Sequence, residues 1–270
     1  GGPDGHTHRL APRRAAGAPP RWWRDRPTAR RAPERLRTEI AEIPGVATVE
    51  TRIVDAAVLD IEGMAEPASA QLVSLPDSGE ALLNTLYMRS GRTPDPAHPD
   101  EVVVNEAFAI AHGFSLGARF PAVINGRQRT LEIVGVALSP EFIYTIAPGA
   151  FMPDDRRYAI LWMSRRALEA AFDLDGAFSS VAVKLLAGAP EEPVIERIDA
   201  LLDRYGGRGA HGRKDQQSHA FLDAELDQLE TGMDGFGPAL YSPGVAKAGV
   251  EAPEGASRQD RVLARLGRAA

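Results

Sequence analysis

The amino-acid sequence predicts an α+β protein in which helix–strand units flank a β-rich insert. Three successive patterns along the 270-residue chain predict this class. Residues 33–83 have the pattern of helix, strand and strand, residues 84–174 that of short strands separated by Gly and Pro, and residues 175–230 that of strand and helix again. Residues 1–32 and 231–270 lack periodicity and are rich in Gly, Pro and Ala, so we expect both tails to be disordered.

The first unit begins with a short helix. Pro33 suits the first turn of a helix, and Pro44 followed by Gly45 ends it. Between them Leu36, Ile40 and Ile43 recur at helical spacing. Residues 46–61 are β-branched and alternating, which predicts either one long strand or a tight hairpin, and residues 69–76 are the expected antiparallel partner.

The β-rich insert contains the best-defined local pattern, "EVVVNEAFAIAHGFSLGARF" at residues 101–120. It predicts a strand over 102–104, a short helix over 106–111 and breaks at Gly113 and Gly117. Two further strands follow, and Asn125 with Gly126 between them predicts a hairpin. This pattern carries no nucleophile, metal-ligand cluster or phosphate loop, so we expect it to be a scaffold element.

The rest of the insert and the second flanking unit alternate between strands and helices. An irregular loop over 139–157 leads to a strand, "YAILWMS", and then to a short helix with Leu168 and Phe172 on one face. The second unit has a strand over 179–188 and an amphipathic helix that ends at Gly206 and Gly207. The apolar stripe of that helix consists of Val194, Ile198, Leu201 and Leu202. A final helix capped by Ser218 is expected after it.

The charge of the chain is unevenly distributed. Residues 1–37 contain ten arginines and three acidic residues, a net charge of +7, whereas the whole chain carries −6, so the remainder carries −13. A basic arm with Trp22 and Trp23 suits a nucleic acid or a membrane surface. The chain has only three lysines, however, and abundant Arg, Ala, Gly and Pro, which is typical of a GC-rich coding sequence. We therefore expect no nucleic-acid partner.

Residues with catalytic or metal-binding chemistry are sparse. The chain has no cysteine, and of its six histidines only His6 and His8 are close in sequence, within the arm. We interpret His112 as capping the carbonyls at its own helix end. "DLDG" at residues 173–176 lacks the later ligands of a calcium loop and predicts a plain turn, as does "MPDDRR" around Asp154 and Asp155. The sequence therefore predicts no enzyme activity and no catalytic, cofactor-binding or metal site.

Residues 33–230 resemble the extracytoplasmic domain of the FtsX/MacB type of ABC transporter permeases. "EIPGVATVETRIV" from Glu42 is similar to the family's segment in which a helix ends at I-P-G-V and a strand begins. The stretch from Glu101 is similar to its E-V-V-V-(S/N)-E…G-x-x-x-G element, which is followed by a hairpin ending in V-G-V. "SPEFIY" and "DDRRYAILWM" are similar to the form found in a subgroup of large permeases.

The resemblance implies a split, porter-like α/β lobe from residues 33–83 and 175–230, with residues 84–174 inserted as a β-rich lobe. It implies a non-catalytic domain on the extracytoplasmic side of a cell membrane, between two membrane helices of a permease. The implied partners are an ABC ATPase subunit, the permease membrane domain, a periplasmic adaptor or lipoprotein and a second permease copy. The implied cargo is a lipoprotein, lipid, peptide or drug.

The family's membrane helices would precede residue 33 and follow Glu230, yet no run in this sequence reaches the ~18 apolar residues of a membrane helix, and no signal peptide is present. We expect a fragment, an altered reading frame or a soluble relative. A soluble extracytoplasmic module that binds a ligand or protein without transport is the alternative function. A hydrolase assembled from scattered residues is a third.

Overall fold

The computed structural model describes residues 31–150 and 152–207. The predicted final helix after Ser218 and nearly all of both predicted tails lie outside these residues. The described chain is mixed α/β. Its strands are β1 Ala32–Pro33, β2 Val46–Arg52, β3 Val54–Leu59, β4 Ala68–Leu75, β5 Tyr87–Gly91, β6 Glu101–Asn105, β7 Arg119–Ile124, β8 Arg127–Leu138, β9 Tyr158–Ser164, β10 Ala177–Phe178 and β11 Ser180–Leu185. Its helices are α1 Leu36–Ala41, α2 Glu106–His112, α3 Arg165–Phe172 and α4 Glu191–Leu202, with a 3₁₀ turn at Asp203–Tyr205.

Six strands form a closed barrel. The strand order is β8, β6, β9, β4, β3 and β7, and β7 pairs again with β8, which closes the ring. Strand β5 is added outside the ring along the second half of β8. The predicted hairpin is confirmed, since Asn125 and Gly126 both have positive φ, 46° and 75°, between β7 and β8. The predicted antiparallel partnership of residues 69–76 is confirmed between β3 and β4.

The barrel interior is apolar because alternate residues of each strand point inward. Helix α2 contributes Phe108, which is fully buried, while Ile110 on its other face is 73% exposed. Helix α3 contributes Ala167 and Leu168. The buried residues that the barrel strands contribute to this interior are Ala57, Leu59, Ala68, Ala70, Leu72, Val102, Val104, Phe120, Ala122, Ile124, Leu131, Ile133, Val136, Ala159, Leu161 and Met163.

The irregular loop 139–150 covers part of the barrel's outer surface. Phe142 packs against Trp162 of β9, with ring centroids 6.3 Å apart. Buried Asn105 fixes the same loop, because its Nδ2 donates to Thr145 Oγ1 at 3.1 Å while its Oδ1 accepts from the Ile160 amide at 2.9 Å. The strand β9 is therefore buried on both faces, which explains its continuous apolar sequence.

A second, smaller layer consists of the antiparallel pair β2 and β11, with α1 and α4 packed on one face. The predicted apolar positions of both helices are confirmed as its core, except that Leu201 is only partly buried. The prediction of a helix start at Pro33 is wrong. Pro33 pairs with Ala177 in the short ladder of β1 and β10, and the helix begins at Leu36. A proline fits this ladder because it lies at the end of an edge strand.

Residues 46–61 form neither one long strand nor a hairpin. The chain changes sheets at Ile53: β2 before it pairs with β11, whereas β3 after it pairs with β4 and β7 in the barrel. Strands β3 and β4 therefore hydrogen-bond to β7 and β9, which lie beyond the sequence-predicted boundary between residues 83 and 84.

Among the described residues, no helix is long and apolar enough to cross a membrane.

Candidate functional site

The chain passes directly from β2, in the helix-covered sheet of β2 and β11, to β3 in the barrel. We call the residues that fix this crossing the junction. Two buried serines replace backbone partners there. Ser74 Oγ accepts from the Ile53 amide at 2.9 Å, and the Ser74 amide donates to the Ile53 carbonyl at 2.9 Å. Ser179 Oγ accepts from the Val54 amide at 2.8 Å and donates to the Val54 carbonyl at 3.0 Å. The hydroxyls thus satisfy the backbone at the point where it leaves one ladder for another.

A buried ion pair lies beside this crossing. Arg52 Nη2 donates to Glu141 Oε1 at 3.0 Å, and Asn84 Nδ2 donates to Glu141 Oε2 at 2.9 Å. The side chains of Arg52 and Glu141 are only 10% and 11% exposed. Burial lowers the pKa of Arg52, but the neighbouring carboxylates of Glu141 and Glu50 outweigh this, so the pKa is raised. Arg52 therefore stays charged, and its contact with Glu141 joins β2 to the irregular loop.

The same face of β2 also fixes the segment that precedes β5. Glu50 Oε2 accepts from the Leu83 amide at 2.8 Å, and Glu50 is two residues from Arg52 on the alternating strand. The next residue, Asn84, has a positive φ of 53° and contacts Glu141. Charged groups of β2 and the loop thereby fix residues 83 and 84 from two directions.

Arg165, the first residue of α3, forms the second half of the junction. Its Nη1 donates to the carbonyl and the Oγ1 of Thr51, both at 3.1 Å. Its Nη2 donates to Glu34 Oε2 at 2.8 Å and to the Ala177 carbonyl at 3.2 Å, and its Nε donates to Glu169 Oε1 at 2.9 Å. Burial lowers the pKa of Arg165, and the two carboxylates raise it by more. One guanidinium therefore connects the helix-covered sheet to the barrel through four chain segments.

Asp55 is the titratable group closest to the crossing along β3. It is partly buried, and its Oδ1 accepts from the Ala56 amide at 2.8 Å. Burial raises the pKa of Asp55 to about 6, although that hydrogen bond acts in the opposite direction. The carboxyl thus changes charge close to neutral pH, three residues from Arg52.

The junction offers fixed geometry rather than reactive groups. Its serine hydroxyls are engaged with backbone, and its carboxylates are paired with guanidiniums or amides, so neither type is poised as a nucleophile or base. In the described part of the chain, no group of three His, Asp or Glu side chains is placed to hold a metal ion. Chemically, the arrangement can hold two packed layers in one orientation.

The residues weighed from sequence lie elsewhere. His6 and His8 are outside the described residues. His112 Nε2 is 2.9 Å from the Arg156 carbonyl, so it contacts a different segment, and Gly113 with φ 64° ends helix α2. The plain turn around Asp154 is confirmed, since its Oδ1 accepts from the amides of Arg156 and Arg157 at 3.1 Å.

Sequence reasoning missed the junction because its partners are far apart in the chain, 89 residues for Arg52 with Glu141 and 131 for Arg165 with Glu34. The sequence does contain one signal for the junction, which is the presence of charged residues within an apolar strand pattern. Glu50 and Arg52 interrupt the apolar pattern of a strand that is buried at its end, and buried charges require partners.

No family model matches the chain. No curated protein matches it either. Among solved structures, the extracellular domain of the noncanonic ABC-type transporter YknZ from Gram-positive bacteria has a TM-score of 0.42 at 16% identity, covering 67% of this chain and 88% of that one. The periplasmic region of MacB from Actinobacillus actinomycetemcomitans has a TM-score of 0.39 at 12% identity, covering 74% and 83%. Both are extracytoplasmic parts of ABC-type transporters.

Proposed function

We propose that the chain is a non-catalytic extracytoplasmic domain of an ABC-type permease that passes ATP-driven movement of the membrane part on to a cargo. The observation that carries this proposal is the junction. The buried ion pair of Arg52 with Glu141 and the five hydrogen bonds that Arg165 donates connect the helix-covered sheet to the barrel. A movement applied to one layer is then transmitted to the other, because charged hydrogen bonds are strong and directional.

The positions of the chain ends support an attachment through the helix-covered sheet. Arg35, close to the first described residue, donates from Nη2 to the Tyr205 hydroxyl at 3.2 Å, close to the last. Both ends of the described chain therefore leave from neighbouring points of the same layer. A domain inserted between two membrane helices needs this arrangement, although it is also common in other domains.

The residues that carry the family resemblance occupy positions where the fold demands them. Gly45 of I-P-G-V has φ +97° where α1 gives way to β2. Gly135 of V-G-V lies where β5 and β8 approach closely, and a Cβ there would be 2.4 Å from the Arg92 carbonyl oxygen. The family pattern is thus matched at two positions where the backbone conformation or the close packing requires glycine.

In this proposal the porter-like lobe predicted over residues 33–83 and 175–230 corresponds to the helix-covered sheet of β2 and β11, because β3 and β4 of that range pair with β7 and β9 in the barrel. The inserted β-rich lobe predicted over residues 84–174 corresponds to the barrel, and the two predicted tails stand where membrane helices occur in full-length relatives. The partners are an ABC ATPase subunit and the permease membrane domain, with a periplasmic adaptor, lipoprotein or second permease copy as further partners. The cargo class is a lipoprotein, lipid, peptide or drug.

The location can be tested with a single cysteine, because the chain has none. Ser78 is exposed just beyond β4, and Asp77 beside it fixes the turn by accepting from the Arg166 amide at 3.1 Å. In the producing cell, a Ser78→Cys chain should react with a small membrane-impermeant maleimide before lysis. The unsubstituted chain serves as blank, and a cytoplasmic protein with an exposed cysteine reports leakage. Reaction only after lysis would contradict an extracytoplasmic position.

A photocrosslinker at the same position then tests the partners. An ABC permease or its ATPase should be the main crosslinked product, and its yield should change when ATP is depleted. Labelling in intact cells without any such product would favour the soluble ligand- or protein-binding module.

A further inference from the structure

Helices α1 and α4 leave an open groove between them on the side away from β2 and β11. Ile43 and Leu201 supply an apolar floor and Ala200 an apolar side, and the rest of the lining is Glu39, Glu42, Glu196 and Arg197. Ile43 is only 7% exposed, so the floor is part of the layer's core. The groove therefore offers apolar surface between charged rims.

The rims are predominantly negative. Glu42 and Glu196 are exposed, and among the described residues neither forms an ion pair, whereas Glu39 Oε1 lies 3.7 Å from Arg35 Nη1. Arg197 is the single basic residue of the lining. An occupant that matches this groove needs one large apolar group with cationic groups on either side.

The N-terminal end of the described chain lies on the same layer as the groove, since Ala32 belongs to the core that α1 and α4 share. The two helices are antiparallel, since Arg35 before α1 contacts Tyr205 after α4, and the groove extends from that end towards Glu42 and Glu196. Residue 31 is only four residues from Arg35. Eight residues span up to about 26 Å when extended, and seven residues of helix cover about 10 Å. Residues around 23 can therefore reach the whole groove.

We propose that this groove binds the chain's own segment 21–26, "RWWRDR". One indole, of Trp22 or Trp23, lies on Ile43 and Leu201, and the flanking guanidiniums pair with Glu42 and Glu196. Arginine suits this position because its planar guanidinium pairs with carboxylates through two bonds.

Other segments outside the described residues match the groove less well. Residues 208–216 are basic but contain only Ala210 as an apolar side chain, and residues 218–231 are apolar but carry four acidic residues and no Lys or Arg. Residues 261–270 combine Val and Leu with three arginines, yet they begin 54 residues beyond Gly207. A longer tether lowers the local concentration of such a segment.

Contact quenching of a bimane label by tryptophan tests the proposal in the full chain. Ala41 is exposed on α1 beside the groove without lining it, and Ala97 is an exposed alanine in the loop between β5 and β6 that does not line the groove either. We expect the label on Ala41→Cys to emit less than half as strongly as in the same chain with Trp22→Phe and Trp23→Phe. The label on Ala97→Cys should be unaffected by those two substitutions. Trp162 is buried between β9 and the loop 139–150 and is common to all variants.

Three outcomes decide the matter. Relief of quenching by Glu42→Gln with Glu196→Gln, and by high salt, would support the charge pairing. Equal emission with and without Trp22 and Trp23 would overturn the proposal. Quenching that increases with protein concentration would also overturn it, because the occupant would then come from a second copy. None of these results depends on whether the domain belongs to a transporter.

Discussion

The barrel and the junction both bury side chains, but the chemistry of those side chains differs. The barrel interior is lined by alternating Val, Leu, Ile and Ala from six strands, closed into a ring with no free edge. The junction buries Arg52, Glu50 and two serines, and each is held by directional hydrogen bonds. Apolar packing tolerates repacking, whereas charged hydrogen bonds fix a geometry. The barrel thus provides stability and the junction provides orientation.

The largest expected effect lies in the barrel. Phe108→Ala should destabilise the protein by about 4 kcal/mol, because a fully buried phenyl ring leaves a cavity in the interior. Urea unfolding followed by circular dichroism measures this free energy. Ile110→Ala, on the exposed face of the same helix, is the matched control and should change stability by less than about 0.5 kcal/mol. Equal effects of the two variants would show that α2 does not pack as described.

Breaking the buried ion pair should have the next largest effect. Arg52→Met should cost about 3 kcal/mol, because it leaves the Glu141 carboxylate buried without its guanidinium. The double variant Arg52→Met with Glu141→Met should recover part of that loss, since no buried charge is left unpaired. If the loss in the double variant equalled the sum of the losses in Arg52→Met and Glu141→Met, the two side chains would not be coupled.

The same variant tests whether the junction sets orientation. The distance between the two layers can be measured with a pair of nitroxide labels. One label is attached at Ser78→Cys, beside the barrel, and the other at Glu192→Cys, an exposed position on α4. We expect a narrow distance distribution that broadens with Arg52→Met and stays narrow with Phe108→Ala at temperatures where both remain folded. Broadening by both would remove the distinction between barrel and junction.

Asp55 offers a pH-dependent test of the junction's surroundings. Its folded pKa is raised to about 6, so the folded state holds this proton more tightly than the unfolded state, whose pKa is near 3.8. Stability from the protonated form is then present below the unfolded pKa and declines as pH rises towards 6. Asp55→Asn, which keeps an acceptor for the Ala56 amide, should stabilise the protein by about 1–3 kcal/mol at pH 7.5 and have little effect at pH 3.5. Thermal melts at both pH values measure this, and an equal effect at both would contradict the burial of the carboxyl.

The sequence anticipates the barrel's elements better than their connections. The Asn125–Gly126 turn and the break at Gly113 are local signals, and both were confirmed. The sheet change at Ile53 was not foreseen, because a continuous β-branched run does not show which partner each half pairs with. The junction was missed for the same reason: Arg52 and Arg165 find partners more than eighty residues away, and no local period reports such pairs.

The smallest expected effect is at Gly113, which ends α2 between the barrel interior and the surface. Its φ is +64°, and a Cβ added there would meet no atom within 4 Å, so a substitution acts through backbone strain alone. Gly113→Val should cost about 1–2 kcal/mol, since a β-branched residue disfavours the left-handed region. Gly113→Asn should cost less than half as much, because asparagine adopts this conformation more readily. Melting temperatures in one buffer rank the three proteins, and an unchanged value for Gly113→Val would mean that residue 113 does not have a positive φ in solution. A loss equal in Val and Asn would instead locate the cost in the side chain's surroundings and would place Gly113 within the packed part of the barrel.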